Sequence, residues 1–124
     1  MLITVSVLAQ NSNRVYLSHG HNYGTDYSYG VSEIEISKDS LYVWRSWSMS
    51  YKKEWRSYKE YEPNIKKGTL KQNGEFFILE EHTSEGVPNG TTWIVKISDR
   101  RLKFFYYLND KLRRGANYKR LIDF

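Results

Sequence analysis

Three groups of residues in this chain carry side chains able to do chemistry. The first is His19-Gly20-His21. On a β-strand both imidazoles would point to one face, within reach of one metal ion, with Asp26 or His82 available as a third ligand. The flanking Gly20, Asn22 and Gly24 instead predict a loop, and no acid or histidine stands at diagnostic metal-ligand spacing. An exposed loop without a metal is the expectation. The second group is Glu80-Glu81-His82 with Glu85. Adjacent carboxylates on a strand face opposite ways, so Glu80 and Glu81 cannot work on one substrate atom. Glu33 and Glu35 do share a face, but alternation with Ile34 and Ile36 explains them as the polar side of a half-buried strand. No nucleophile–base pair, nucleophile elbow, phosphate loop or dinucleotide fingerprint is visible. The chain therefore shows no catalytic motif, and no cofactor and no metal are expected.

The third group mixes cations with aromatic rings. Lys52, Lys53, Arg56, Lys59, Lys66, Lys67 and Lys71 alternate with Tyr51, Trp55, Tyr58 and Tyr61. Single-stranded nucleic acid is held by such combinations, through backbone attraction and base stacking. Glu54, Glu60 and Glu62 dilute the positive field, and an amphipathic segment with rings towards the core accounts for the same pattern. Arg100-Arg101 and Lys111 to Arg114 form a second basic group, placed in turns.

The elements that must position these groups read as strands. Val31–Ser37 alternates strictly between apolar and polar, Lys38-Asp39-Ser40 is a polar break, and Leu41–Ser50 resumes the period of two. In that second segment Leu41, Val43, Trp47 and Met49 share one face, and Tyr42 and Trp44 the other. Val15-Tyr16-Leu17 reads as a short strand. Tyr51, Trp55 and Tyr58 stand at helical spacing and Pro63 would end a helix, so one short helix is placed near residues 51–61; a strand continuing from Met49 is the alternative. Asn73-Gly74 marks a tight hairpin after Gly68–Lys71. Phe76–Leu79 is apolar on both faces. Ser84–Gly90 is a turn, and Thr91–Ser98 a strand with Trp93, Val95 and Ile97 on one side. Leu102–Leu108 places Leu102, Phe104, Tyr106 and Leu108 together, Asn109–Gly115 is loop-like, and Asn117–Ile122 is the last strand. Ile36–Leu41 and Ile97–Leu102 share one grammar: a strand end, a serine, three polar residues and a leucine. Similar hairpin turns explain that echo.

Seven to nine strands with short connections define the fold class as all-β, an antiparallel meander closed as a small barrel or stacked as a sandwich. At 124 residues the chain matches one domain, 1–124. Its 11 Tyr, 5 Phe and 4 Trp favour pleated, half-buried surfaces. The absence of cysteine excludes disulfides and thiolate metal sites. A net charge of +5 suits an anionic partner without naming one. Met1–Gln10 has two readings. Ile3–Val7 alternates as a first strand would, whereas Val7-Leu8-Ala9 places small residues where a signal peptidase cuts, making residues 1–9 the tail of a signal peptide. That second reading tips the expected location towards export. Neither reading contains an apolar run long enough to span a membrane.

The stretch Gly68–Arg120 resembles the C-terminal part of small lipocalin-like domains of exported bacterial proteins. The shared features are Gly68-Thr69-Leu70 before the Asn73-Gly74 hairpin, an apolar strand ending in Glu80, and a glycine-containing turn. After them come Trp93-Ile94-Val95-Lys96-Ile97-Ser98, a strand led by Leu102, and Tyr118-Lys119-Arg120. The resemblance implies a small β-barrel, export, and an apolar ligand in the barrel mouth; it carries over no functional residue. Within a meander, Trp44, Trp47, Trp93, Phe104 and Tyr106 are expected to line the interior as the ligand-binding residues, since apolar cavities with aromatic walls are where small ligands bind. A filled aromatic core is the competing expectation. The function expected is thus a non-enzymatic binding module for a small apolar or amphipathic ligand. An immunity-type protein-interaction module and single-stranded nucleic-acid binding are the alternatives.

Overall fold

A computed structural model describes residues 13–23 and 27–121. Eight antiparallel strands follow one another around a closed barrel: β1 (Arg14–Tyr23), β2 (Tyr27–Ile36), β3 (Leu41–Met49), β4 (Asn64–Asn73), β5 (Phe76–His82), β6 (Pro88–Ile97), β7 (Arg101–Leu108) and β8 (Lys111–Arg120). Each strand pairs with the next, and β8 returns to β1. The all-β expectation holds, and closure as a barrel decides against a sandwich. A short 3-10 helix, Lys52–Glu60, lies between β3 and β4, with Ser57 at φ −101°, ψ 21° interrupting it. Among the described residues no helix is long and apolar enough to cross a membrane. Both readings of residues 1–9 fall outside the described residues.

Turn chemistry fixes the hairpins. Leu108 pairs with Lys111, leaving Asn109-Asp110 as a two-residue turn with φ 53° and 64°. Both central residues at positive φ define the I′ geometry that suits strand twist, and Asn and Asp tolerate it better than most side chains. Between β4 and β5 the central residues are Gly74-Glu75, one position later than the Asn-Gly pair suggests, with Gly74 at φ 64°. The two turns of similar grammar are each closed by a serine. Ser37 Oγ accepts from the Leu41 amide and Ser98 Oγ from the Arg101 amide. The first turn is one residue longer and takes Ser40 to φ 61°.

Several strands run further than their patterns indicate. His19-Gly20-His21-Asn22 lies within β1, paired register for register with β2, and is not a loop. Pro88-Asn89-Gly90 opens β6, and Lys111 to Gly115 belong to β8. Apart from the half-buried Gly20 these segments are exposed, so no burial pattern marks them in the sequence, while backbone pairing with a neighbour holds them extended. Gly68 marks a close strand approach, because a Cβ there would stand 1.8 Å from the Glu80 carbonyl oxygen, beside the irregular pairing between Glu80 and His82.

Two apolar clusters result. Cross-strand neighbours share a face, so the ladders Tyr16–Ile34–Trp44 and Leu70–Leu79–Trp93 identify the inward face. Its core is Tyr16, Ile34, Tyr42, Leu79, Val95, Leu102, Phe104 and Tyr118, with Trp44 and Trp93 packed against it. A second cluster, Tyr29, Val31, Trp47, Met49 and Tyr58, lies on the outer face of β2 and β3, where the 3-10 helix packs over it.

Candidate functional site

Four of the five sequence-predicted ligand residues meet in one place. Trp44, Trp93, Phe104 and Tyr106 line an open pocket of about 260 Å³, together with Phe105, Gly115, Ala116 and Tyr118. It lies towards the end of the barrel that carries the β7–β8 turn. Strand alternation puts Trp44, Trp93, Phe104 and Tyr106 on the inward face. Pairing shifts between Lys103 and Phe105, so Gly115 and Ala116 stand where β8 carries extra length, and their small side chains leave the wall open.

Trp47 is the exception. It sits on the outer face of β3, 7% exposed, with its ring edge-on to Tyr58 at 4.7 Å and its indole N–H donated to the Tyr61 carbonyl at 2.8 Å. The reason is parity: Trp44 and Trp47 are three residues apart, so on one strand they face opposite ways. The helix that covers Trp47 makes it look like a core residue from the sequence, although it lies outside the barrel.

The walls of the pocket meet edge to face or tilted. Trp44 and Trp93 stand 5.2 Å apart at 75°, Trp93 and Phe104 6.2 Å apart at 82°, and Phe104 and Tyr118 5.6 Å apart at 44°. These are favourable geometries for quadrupolar rings. Ser32 anchors them: Trp44 Nε1 donates to its Oγ at 2.7 Å and the Tyr118 hydroxyl at 2.8 Å. Burial pushes the Tyr118 phenol up in pKa, with the bonds from Ser32 and Trp44 opposing. The indole N–H of Trp93 is buried and has no acceptor among the described residues. Lys66, the register partner of Trp44, holds its Nζ 5.4 Å from the Trp44 ring centroid and 5.6 Å from that of Trp93. Tyr42 is also buried with an unpartnered hydroxyl, but it belongs to the filled part of the core.

His19 and His21 lie elsewhere, on the outer face of β1, and His82 ends β5. His19 Nδ1 shares a hydrogen bond with the Tyr29 hydroxyl at 2.6 Å, His21 Nδ1 one with the Tyr27 hydroxyl at 2.8 Å, and the His19 ring stacks on Trp55 at 3.8 Å. Burial, then the charges of Lys52, Arg56 and Lys119, hold the His19 pKa below its ordinary value. Those same charges oppose a metal cation. No group of three or more metal-ligating side chains exists among the described residues.

A charged groove of about 850 Å³ runs beside the helix, with Glu33, Arg45, Lys59 and Tyr61 in its wall. Sequence reasoning placed Glu33 on an exposed face, yet it is only 4% exposed. The Tyr58 hydroxyl donates to Glu33 Oε2, and Arg45 stands 3.6 Å from Oε1. Arg45 also bridges to Glu35 at 3.0 Å. The Asn13 amide bond holds the Glu35 carboxyl low in pKa, with Arg45 helping against burial. The groups are mutually satisfied, as a structural network requires. Only the covering helix buries Glu33, so strand alternation gave no signal of it.

The basic-aromatic segment is largely the helix itself. Arg56 lies 5.5 Å from the Trp55 ring and Lys59 5.9 Å from that of Tyr58, so rings and cations partly engage each other. At the far end of the hairpin, β7 and β8 form a ribbon on their own. The β6–β7 register ends at Ile94 with Phe105, and β8 meets β1 only at Lys119 and Arg120. The ribbon exposes Tyr107, Leu108 and Leu112 beside Lys111, Arg113 and Arg114.

Compared with known proteins, the chain matches no family, no curated protein and no solved structure. Geometry and side-chain chemistry are thus the grounds for a functional reading.

Proposed function

We propose that this protein is a non-enzymatic binding module, lipocalin-like in architecture, that takes a small apolar or amphipathic ligand in the aromatic pocket of its barrel. The observation that carries the reading is the open cavity of about 260 Å³ walled by Trp44, Trp93, Phe104 and Tyr106. A protein interior of this size is normally filled. Here the side chains that would fill it are Gly115 and Ala116 on the β8 side. Aromatic walls provide apolar area, and a pocket already formed before binding costs little ordering on occupation.

The test is titration with the fluorescent amphipath 1-anilinonaphthalene-8-sulfonate, reading probe emission and Trp quenching. The wild type binds one equivalent saturably. Ala116→Trp, at an exposed position on the pocket wall, weakens binding at least about tenfold, the equivalent of about 1.4 kcal/mol, with an unchanged unfolding midpoint. Binding that ignores Ala116→Trp, or no saturable binding at all, overturns the reading. Native mass spectrometry of protein from its own host would show any retained ligand as added mass.

A second reading, a protein-interaction module, draws on the β7–β8 ribbon, whose Tyr107 is 66% exposed and Leu108 49% exposed beside three basic residues. It expects a protein partner lost on Tyr107→Ser/Leu108→Ser and indifferent to Ala116→Trp. The reverse pattern rejects it.

A further inference from the structure

We propose that the ligand of the aromatic pocket is a small aromatic carboxylate, its ring packed against Trp44, Trp93 and Phe104 and its acid group held by Lys66. This rests on the pocket reading above and adds a charge, a polarity and a size to it.

The charge comes from Lys66. Its ammonium stands over the two indoles that wall the pocket, 5.4 and 5.6 Å from their centroids. It makes no ion pair among the described residues, whereas Arg45, Lys59, Lys96 and Arg120 each do. Ring faces attract a cation but leave its outward N–H bonds for an anion. An anion placed there meets one cation and no carboxylate bonded to it.

The polarity comes from Trp93. A buried N–H without an acceptor is costly, and Trp93, whose side chain lines the pocket, carries such a donor among the described residues. A ligand oxygen would relieve it. An oxyanion has acceptor sites enough to serve both Lys66 and Trp93. A pure hydrocarbon would leave the donor unmet.

The size and shape come from the walls. Drug-sized ligands occupy pockets of roughly 300–1,000 Å³; one of about 260 Å³ suits one or two fused rings rather than a long acyl chain. Indole and phenyl groups already meet there at 75° and 82°. A further ring can join such an edge-to-face array with the same quadrupolar preference.

The experiment compares 2-naphthoate with its uncharged relative 2-acetylnaphthalene, which keeps the rings and a carbonyl acceptor. Both are titrated calorimetrically into wild-type protein and Lys66→Gln. Lys66 is exposed, so this variant is expected to fold, and circular dichroism checks it. The expected result is naphthoate bound at least about tenfold more tightly than the ketone by the wild type, in line with a hydrogen bond to a charged group. In Lys66→Gln that preference falls to about twofold or less. If both compounds bind the wild type equally and Lys66→Gln changes neither, the carboxylate assignment is overturned and the pocket stands. If neither binds the wild type, both the pocket reading and this inference fail.

Discussion

Glu33 shows how far one residue can depart from its sequence appearance. It alternates with Ile34 as a solvated strand position should, yet it is buried beneath Tyr58. A buried carboxylate is tolerable only with donors supplied, and Tyr58 and Arg45 supply them. The short contact also keeps the Tyr58 proton in place: burial and the adjacent Glu33 charge raise the phenol well above its ordinary pKa. Replacing Tyr58 with Phe preserves the ring packed on Trp47 and removes only the donor. It is expected to cost about 1.5–3 kcal/mol, the range for a hydrogen bond to a charged group. Urea unfolding checks this, and a loss under about 0.5 kcal/mol would mean that water replaces the hydroxyl freely.

Elements in this molecule differ in how they are secured. β2 and β3 pair from Ile36 with Tyr42 to Tyr29 with Met49, and the helix packs on their outer face. The β7–β8 ribbon has only its own ladder above Phe105 and depends on its turn. That turn holds Asn109 and Asp110 at φ 53° and 64°. Glycine takes such angles without the Cβ conflict that other residues meet. Asp110→Gly is therefore expected to stabilise the protein by about 0.5–1 kcal/mol, seen as a higher thermal midpoint. A lower midpoint would show that the aspartate side chain contributes more to the turn than its backbone strain removes. Much of this architecture is legible from residue types: the hairpin at Gly74, the alternation through Glu33–Ile36, and the helix before Pro63. The polar parts of β1, β6 and β8 are not legible, since exposed strands carry no apolar alternation and are defined by their pairing partners.

At the scale of the whole molecule, closure of the barrel buries phenols that must stay protonated. Tyr42 is 1% exposed and its pKa is pushed up to about 12, first by burial and then by the nearby Glu81 and Glu80. Tyr58 and Tyr118 shift in the same direction. In the unfolded chain a tyrosine loses its proton near its ordinary value of 10. Folded pKa values above unfolded ones give stability that is complete below about pH 10 and is lost as pH climbs towards about 12. Denaturant midpoints should thus hold steady up to about pH 10 and fall beyond it, with the tyrosinate absorbance of the buried phenols alone rising in step with unfolding. A midpoint unchanged through about pH 12 would contradict the burial of these hydroxyls.

By itself the sequence determined the kind of structure. Alternation, aromatic content and turn residues specify antiparallel strands joined in order, because each of those signals acts between neighbours in the chain. It also selected most of the pocket, since Trp93, Phe104 and Tyr106 lie on the apolar side of two readable strands. Trp44 and Trp47 were assigned to the same interior; only the closed barrel decided that Trp44 turns inward and Trp47 outward beneath the helix. Strand parity separates those two residues, but which face becomes the inside depends on where β8 meets β1, a contact between residues more than a hundred positions apart. The same closure set Lys66 above two indoles and left the space beside Gly115 and Ala116 unfilled. Those features arise from distances across the barrel, and such distances exist only once the chain has closed.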